Sequence, residues 1–240
     1  MIEADLHTHS IASTHAYSTI KENAESASKA GLKAFAITDH APEMADAPHI
    51  WHFHNFRVLP RFMFGVRLIF GIEENIIDTE GTLMLDEYSR THLDWVVASI
   101  HMELFKPTTV ENHTRAYIQL AKCQPVVDCI GHPTNINFPF EIEKVIKTFK
   151  EYDKIVEINE AHLRNYKKSH TLAKEIIAAC KKYEVSVCVN SDAHYCDHVG
   201  QFPVSLAMLE DFPKDLIFNA DIDRVLERIS RKTFKRTVDI

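Results

Sequence analysis

The sequence predicts a parallel α/β barrel, a somewhat distorted (β/α)7, and three observations carry that expectation. Apolar runs of strand length alternate with segments of helical periodicity along the chain, as in parallel β-α units joined by right-handed crossovers. Metal-ligand side chains recur at the C-terminal ends of runs one, two, three, four, five and seven. An open doubly wound sheet fits the alternation equally well, but only a closed ring gathers six strand ends around one centre. Finally, 240 residues without a repeat, low-complexity tract or Pro/Gly-rich linker suit one barrel domain spanning 1–240.

The first strand, residues 3–7, runs into Asp5-Leu6-His7-Thr8-His9-Ser10, where His7 and His9 share a face because side chains repeat every second residue. A helix over 19–30 follows, with Ser18 as N-cap and Gly31 just past its end. The second strand, 34–38, is apolar enough to be buried on both faces and ends in Asp39-His40. Residues 41–64 form an excursion around Trp51-His52-Phe53-His54, helical in part before Pro60, which could be a lid, a subunit contact or packing. The third strand, 66–72, delivers Glu73-Glu74-Asn75, and Asp78-Thr79-Glu80-Gly81 reads as a turn. The fourth, 94–100, ends in His101, with a helix over 110–122 behind it. The fifth, 126–130, ends in Gly131-His132-Pro133 and precedes a helix over 141–152. The sixth, 155–158, leads to Asn159-Glu160 and then to a helix over 171–183. The seventh, 185–189, ends in Asn190-Ser191-Asp192-Ala193-His194. Helices over 204–209 and 222–229 and a basic tail over 231–236 complete the chain. Gly71 and Gly131 stand just before candidate ligands, where close backbone approach or a special torsion is expected.

An apolar fraction of 45% and a charged fraction of 25% support an ordinary core. The net charge of −7 argues against nucleic acid or an anionic membrane as main partner, while a local basic pocket for a small phosphorylated molecule stays compatible. Apolar runs such as 95–100 are too short to span a bilayer, and Glu3 and Asp5 sit where a secretory signal would be positive. A cytoplasmic protein is expected, with homo-oligomerisation left open. The cysteines, Cys123, Cys129, Cys180, Cys188 and Cys196, are odd in number and form no Cys-x-x-Cys, so reduced buried thiols are expected, with Cys196 in a loop near the site.

A lone histidine is more often structural than a ligand. Position changes that weight for His7, His9, His40, Glu73, His101, His132, Asp192 and His194, which fall at or within three residues of a strand's C-terminal end, and for His15 in the first strand-to-helix loop. Nine groups exceed the needs of one ion, so two or three metals are expected, with Glu73 or Asp192 able to bridge. The mixed imidazole and carboxylate set suits Zn, Mn or Fe better than Ca or Mg. His92 and His113 read as structural, and His162, His170 and His198 as loop or helix-start residues, with His198 nearest the site.

These motifs, together with Ile37-Thr38-Asp39-His40, Gly71-Ile72-Glu73, Ser99-Ile100-His101 and Ser191-Asp192-Ala193-His194, resemble the successive motifs of the PHP (polymerase and histidinol phosphatase) family. Residues 12–18, with Asp46-Ala47-Pro48-His49 and Trp51-His52-Phe53, resemble its YcdX-type phosphatase branch more closely. The resemblance implies a distorted seven-stranded barrel with three divalent ions, zinc foremost. It gives one ion His7, His9, Glu73 and Asp192, a second Glu73, His101 and His132, and a third His15, His40 and His194. Asn159-Glu160-Ala161-His162 departs from the Asn-Asn-Ser type of sequence of close relatives, which bears on substrate preference rather than on metal chemistry.

The chemistry expected is hydrolysis of a small phosphomonoester by metal-bound water. Asp39 is a candidate acid or orienting group, and Arg164 and Lys167, with Lys168 behind them, are candidate phosphate contacts or else a solvated basic stretch. Rival readings are an amidohydrolase-type hydrolase, disfavoured because His101 stands where that type carries a bridging lysine, a phosphodiesterase or exonuclease, and a metal-holding interaction module without catalysis.

Overall fold

The alternation predicted from the sequence builds a nearly closed parallel barrel with helices between its strands. The computed structural model describes the backbone of residues 1–238 and the side chains of residues 1–232. Its strands are β1 (Ala4–Asp5), β2 (Ala34–Ile37), β3 (Phe62–Met63), β4 (Val66–Asn75), β5 (Trp95–Ser99), β6 (Cys129–Ile130), β7 (Ile155–Asn159) and β8 (Val187–Asn190). Seven of them run parallel in the order β1-β2-β4-β5-β6-β7-β8. The short β3 folds antiparallel onto β4 through Phe64-Gly65, both at positive φ, as a two-residue hairpin turn requires. That hairpin escaped the sequence reading because Phe64 is an unusual residue for such a torsion.

The ring closes at a seam made largely by side chains. Between β1 and β8, Leu6 N donates to Asn190 Oδ1 at 3.0 Å, and Asp192 N donates to the His7 carbonyl at 2.9 Å. At the other end of the seam, the fully buried Asn219 amide donates to the carbonyls of Ala4 (2.7 Å) and Val189 (2.6 Å) and accepts from Val189 N (3.0 Å). One asparagine thus satisfies backbone groups that a regular ladder would have paired.

The helices are α1 (Ile20–Lys29), α2 (Trp51–His54), α3 (Glu87–His92), α4 (Val110–Cys123), α5 (Ile142–Glu151), α6 (Glu160–Asn165), α7 (Ser169–Tyr183), α8 (Pro203–Met208) and α9 (Ile222–Val238). Several expectations are corrected. The N-cap of α1 is Thr19, which forms a capping box with Glu22, while the Ser18 hydroxyl accepts from Cys196 N at 2.8 Å. β6 starts later than expected because the Val127 carbonyl is taken by the buried Lys154 ammonium (2.8 Å) rather than by a ladder partner. α6 occupies what was read as loop, started by the Asn159 side chain accepting from His162 N. α9 runs past residue 229 through the expected basic tail, in which Arg231 pairs with Glu227 (2.6 Å); the side chains of residues 233–236 lie outside the described residues.

Small residues on β2 set the layering. Ala34 and Ala36 face the barrel interior with Leu6, Ile69, Trp95, Val97, Cys129, Ile155 and Cys188, and α9 plugs the N-terminal end with Val225 and Ile229. Phe35 and Ile37 face outward into the layer under the helices. Inward positions continue up each strand with period two. Ile69 and Gly71 are therefore followed by Glu73, Trp95 and Val97 by Ser99, and Ile155 by Glu157 and Asn159. The apolar plug gives way to polar groups near the C-terminal end, where barrel enzymes carry their sites. All five cysteines are free, three of them buried, and among the described residues no helix is long and apolar enough to cross a membrane.

Candidate metal centre

Glu73 stands at the middle of this polar end, about 1% exposed. Its Oε2 lies 2.8 Å from His40 Nδ1, 3.4 Å from His7 Nε2 and 3.6 Å from His9 Nε2. Its Oε1 lies 3.1 Å from His132 Nε2 and 3.4 Å from His101 Nε2, and accepts from the Ser99 hydroxyl at 2.6 Å. Asp192 Oδ1 approaches His9 Nε2 (3.1 Å), His7 Nε2 (3.6 Å) and His194 Nδ1 (3.6 Å). The His15 ring lies over His194 at 4.4 Å and His40 at 5.3 Å between centroids. The nine side chains singled out in the sequence therefore converge on one place.

The backbone is shaped for this convergence. A Cβ on Gly131 would sit 2.0 Å from Ser99 Oγ, so only glycine leaves Ser99 room to reach Glu73. A Cβ on Gly71 would meet Trp95 O and Thr38 Cγ2 at 2.8 Å. His132 and Asp192 hold positive φ (26° and 52°), a cost that backbones concentrate at functional positions.

A surrounding set of acceptors orients the rings. His7 Nδ1 is bound to Glu157 Oε1 (2.8 Å), His101 Nδ1 to Asn75 Oδ1 (2.7 Å) and His15 Nδ1 to Asp46 Oδ2 (2.5 Å), leaving each Nε2 for the centre. Glu157 is fully buried, and its other oxygen takes His132 N (2.6 Å) and the Asn159 amide (2.9 Å). Sequence reading missed Glu157 and Asp46 as members of the site. Glu157 lies within β7 rather than at its end, and its inward parity with Ile155 was the available signal. Asp46 arrives from the excursion, and no period places a loop residue.

The electrostatics match a donor set that needs cations. Burial would raise the Glu73 carboxyl, but His7, His101 and His40 hold it well below the usual carboxylate range. Burial and the neighbouring His194 and His40 push His9 down to about 3, leaving a neutral imidazole with lone pairs, the form that binds metal. Two buried polar atoms of the centre, His9 Nδ1 and His194 Nε2, have no hydrogen-bond partner, and Glu73 Oε2 and His40 Nδ1 have only their mutual 2.8 Å contact. Ligand-type atoms cluster tightly in His7/His9/Asp192, His40/Glu73/His101, His9/His40/His194 and His15/His40/Asp46. Unsatisfied buried atoms on a mixed imidazole and carboxylate set fit divalent ions.

The centre opens into a cavity of ≈ 1170 Å³ whose lining includes Tyr17, Met102, Arg164, Lys167, Lys168 and Tyr195. Asp39 is not among the lining residues. It is buried and accepts from Ser10 N (2.7 Å), Ser10 Oγ (2.7 Å), Ser13 Oγ (2.9 Å) and His52 Nε2 (3.0 Å). Burial opposes its charge, yet His52 and these donors keep the carboxyl below its ordinary value and so favour its ionised form. Of the excursion histidines, His52 holds Asp39, His54 faces Asp86 (3.2 Å), and neither lines the cavity. His162, read from the sequence as a loop residue, does line it, 6.1 Å from the His132 ring and bonded to Ser169 Oγ (2.9 Å), and His198 joins the rim. Glu160, in the stretch that departs from the resembling sequences, is buried and accepts from Val204 N and Ser205 N at the start of α8.

The PHP domain model matches residues 5–161. A protein of Acetivibrio thermocellus named "Probable phosphatase" is 44% identical over 230 residues, covering 95% of both chains. One of the same description from Caldanaerobacter subterraneus subsp. tengcongensis is 44% identical over 232 residues, covering 95% of this chain and 91% of its own. In fold, the chain is similar to histidinol phosphate phosphatase from Lactococcus lactis subsp. lactis, solved with zinc, L-histidinol and phosphate, at a TM-score of 0.61 and 13% identity over 89% of this chain and 93% of that one. Seven parallel strands, a ligand-rich C-terminal mouth and relatives that cover nearly the full length lead to one conclusion: the chain belongs to the PHP domain family.

Proposed function

We propose that this protein is a metal-dependent phosphatase that hydrolyses a small phosphomonoester at a centre of three divalent ions, zinc first, with manganese or iron compatible. The class of activity, a phosphatase-type hydrolase, follows from the family and from its relatives at 44% identity. The observation that carries the metal reading is the Glu73 carboxylate, one oxygen facing His7, His9 and His40 and the other facing His101 and His132. A carboxylate flanked by imidazoles on both oxygens is suited to bridging two ions.

On this reading His7, His9, Glu73 and Asp192 hold one ion, Glu73, His101 and His132 a second, and His15, His40 and His194 a third. Asp46 is a further donor beside His15 and His40, which the sequence grouping did not include. The contact of His15 with Asp46 joins two of the segments that resemble the YcdX-type branch, and so supports placing the chain there. Bound divalent ions would neutralise phosphoryl oxygens and lower the pKa of coordinated water to about 7. The chain's own groups do the rest. Glu157 fixes the tautomer of His7 and the backbone of His132, and Asp39 orders Ser10 and Ser13, whose hydroxyl in turn accepts from His40 N (3.1 Å). Asp39 is therefore a positioning group rather than the acid. Arg164 and Lys167 meet the anionic substrate from the cavity wall.

Elemental analysis of purified protein, followed by assay of an aryl phosphate, tests this reading. Three bound ions with turnover are expected, whereas three ions with no phosphatase activity toward any phosphomonoester would overturn the function. A Glu73→Gln protein that kept its metal and its activity would overturn the bridge.

A further inference from the structure

The reading above gives one wall of the cavity an anion to meet but does not say which group of the substrate it is. Arg164 near the end of α6 and Lys167 and Lys168 in the turn before α7 line the same cavity as the metal centre, yet none reaches Glu73, Asp192 or an imidazole of the cluster by hydrogen bond or ion pair. Among the described residues, these three side chains make no ion pair and no hydrogen bond, unlike Arg61, Arg228 and Lys182, which are held by carboxylates. Three adjacent unpaired cations facing a cavity invert the local charge of a chain whose net charge is −7.

The turn that presents them is fixed rather than loose. Ser169 N donates to Tyr166 O (2.9 Å), His170 N to Lys167 O (3.2 Å), and the buried Ser169 hydroxyl meets His162 Nε2. His170 Nε2 ties the start of α7 to the Leu163 carbonyl (2.9 Å). The cations are thus held on a braced scaffold, which lowers the cost of ordering them around a ligand. At ≈ 1170 Å³ the cavity also exceeds what one phosphoryl group fills. Glu103 is the one carboxylate of the lining besides Glu73 and Asp192, so little among the described residues neutralises the wall from within.

We propose that the Arg164–Lys167–Lys168 wall is a second anion subsite, and that the substrate is a small phosphoester carrying a further carboxylate or phosphate besides the group that is hydrolysed. The inference rests on the phosphatase reading for its first anion. The metal centre takes the reacting phosphoryl group, and the wall takes the other charge, setting which phosphoesters bind well rather than how fast the bond breaks.

Matched ligands test it on the metal-loaded protein. Phosphoserine against phosphoethanolamine isolates an added carboxylate, and propanediol bisphosphate against propyl phosphate isolates an added phosphate. KM and kcat are measured for each, with calorimetric Kd for the same ligands, in wild type, in K167A/K168A, in Arg164→Ala and in K167R/K168R. The expected result is about tenfold tighter KM or Kd for the member with the second anion, with kcat little changed. That preference should collapse in the alanine variants and return in the arginine pair. The arm that shows the larger preference identifies carboxylate or phosphate as the second group. Equal affinities within both pairs in wild type would overturn the inference. So would an equal weakening of both members in the variants, because the wall would then serve the reacting phosphoryl itself. A calorimetric preference without turnover would leave the subsite standing and sink the phosphatase reading instead.

Discussion

The two ends of the barrel use charged groups in opposite ways. At the N-terminal end buried carboxylates are paired to completion. Asp128 accepts from Val96 N (2.9 Å) and Arg228 Nε (2.8 Å) and also pairs with Lys232, while Asp94 accepts from Phe70 N (3.0 Å) and pairs with Arg61. At the C-terminal end Glu73 and Asp192 face rings instead of guanidinium or ammonium groups, and the buried His9 Nδ1 and His194 Nε2 remain without a hydrogen-bond partner. A buried polar atom left unpaired costs about 1–3 kcal/mol, so a fold tolerates such atoms in one place only where something else binds them. The paired end holds the barrel together, and the unpaired end waits for cations.

Removing one group from each end should separate those roles. The largest effect is expected for Glu73→Gln, which removes the charge shared by two proposed ions: turnover should fall by roughly 10³-fold or more, corresponding to several kcal/mol. Elemental analysis should find less metal, and the rise in Tm that metal addition gives wild type should shrink. Metal addition that raised the Tm of both proteins equally would break the contrast between the ends.

At the other end, Asp128→Ala removes the buried carboxylate shared by Arg228 and Lys232, leaving them Asp153 and the Val126 carbonyl, and should cost about 3 kcal/mol by denaturant unfolding, with the metal content of the folded protein unchanged. The same residue sets an acid limit. Burial alone would raise the Asp128 carboxyl, but Lys232 and Arg228 hold it below its ordinary value. Its stabilisation is therefore present above the ordinary aspartate pKa of about 3.9 and is lost as pH falls through the lower folded value. In unfolding scans below that pH, wild type should lose stability more steeply than D128N.

Glu157→Gln removes the charge behind His7 without touching the proposed ions, and a reduction of about 10–100-fold in activity or metal affinity is expected. Wild-type metal affinity and kcat in that variant would show that Glu157 only supports the fold. Smallest is the seam: Asn219→Ala should cost about 1–3 kcal/mol in denaturant unfolding, because two carbonyls and one amide lose their partner. An unchanged midpoint would mean that water replaces the amide there.

The difference between the ends was only half legible in the chain. His7, His9, Glu73, His101, His132, Asp192 and His194 could be read because a strand end is visible as the place where an apolar run stops, and barrel geometry does the gathering. The N-terminal network could not be read: Asp128 and Arg228 are 100 residues apart, and neither sits in a pattern. Glu157 shows the same limit at close range. Its inward parity was available, yet nothing local distinguishes a strand glutamate that orients a ligand from one that faces solvent.

By itself, then, the sequence determined the alternation of strand and helix, the closed parallel ring and the collection of ligand-type residues, because periodicity and strand ends are local properties. Only the tertiary structure decided that Glu73 divides its oxygens between two sets of rings and that Asp39 is enclosed by donors and set back from the cavity. It also decided that His162 and the Arg164–Lys168 turn face the cavity, and that Asn219 fastens the seam. Those facts depend on how distant segments meet around the ring, and no short-range pattern encodes such meetings.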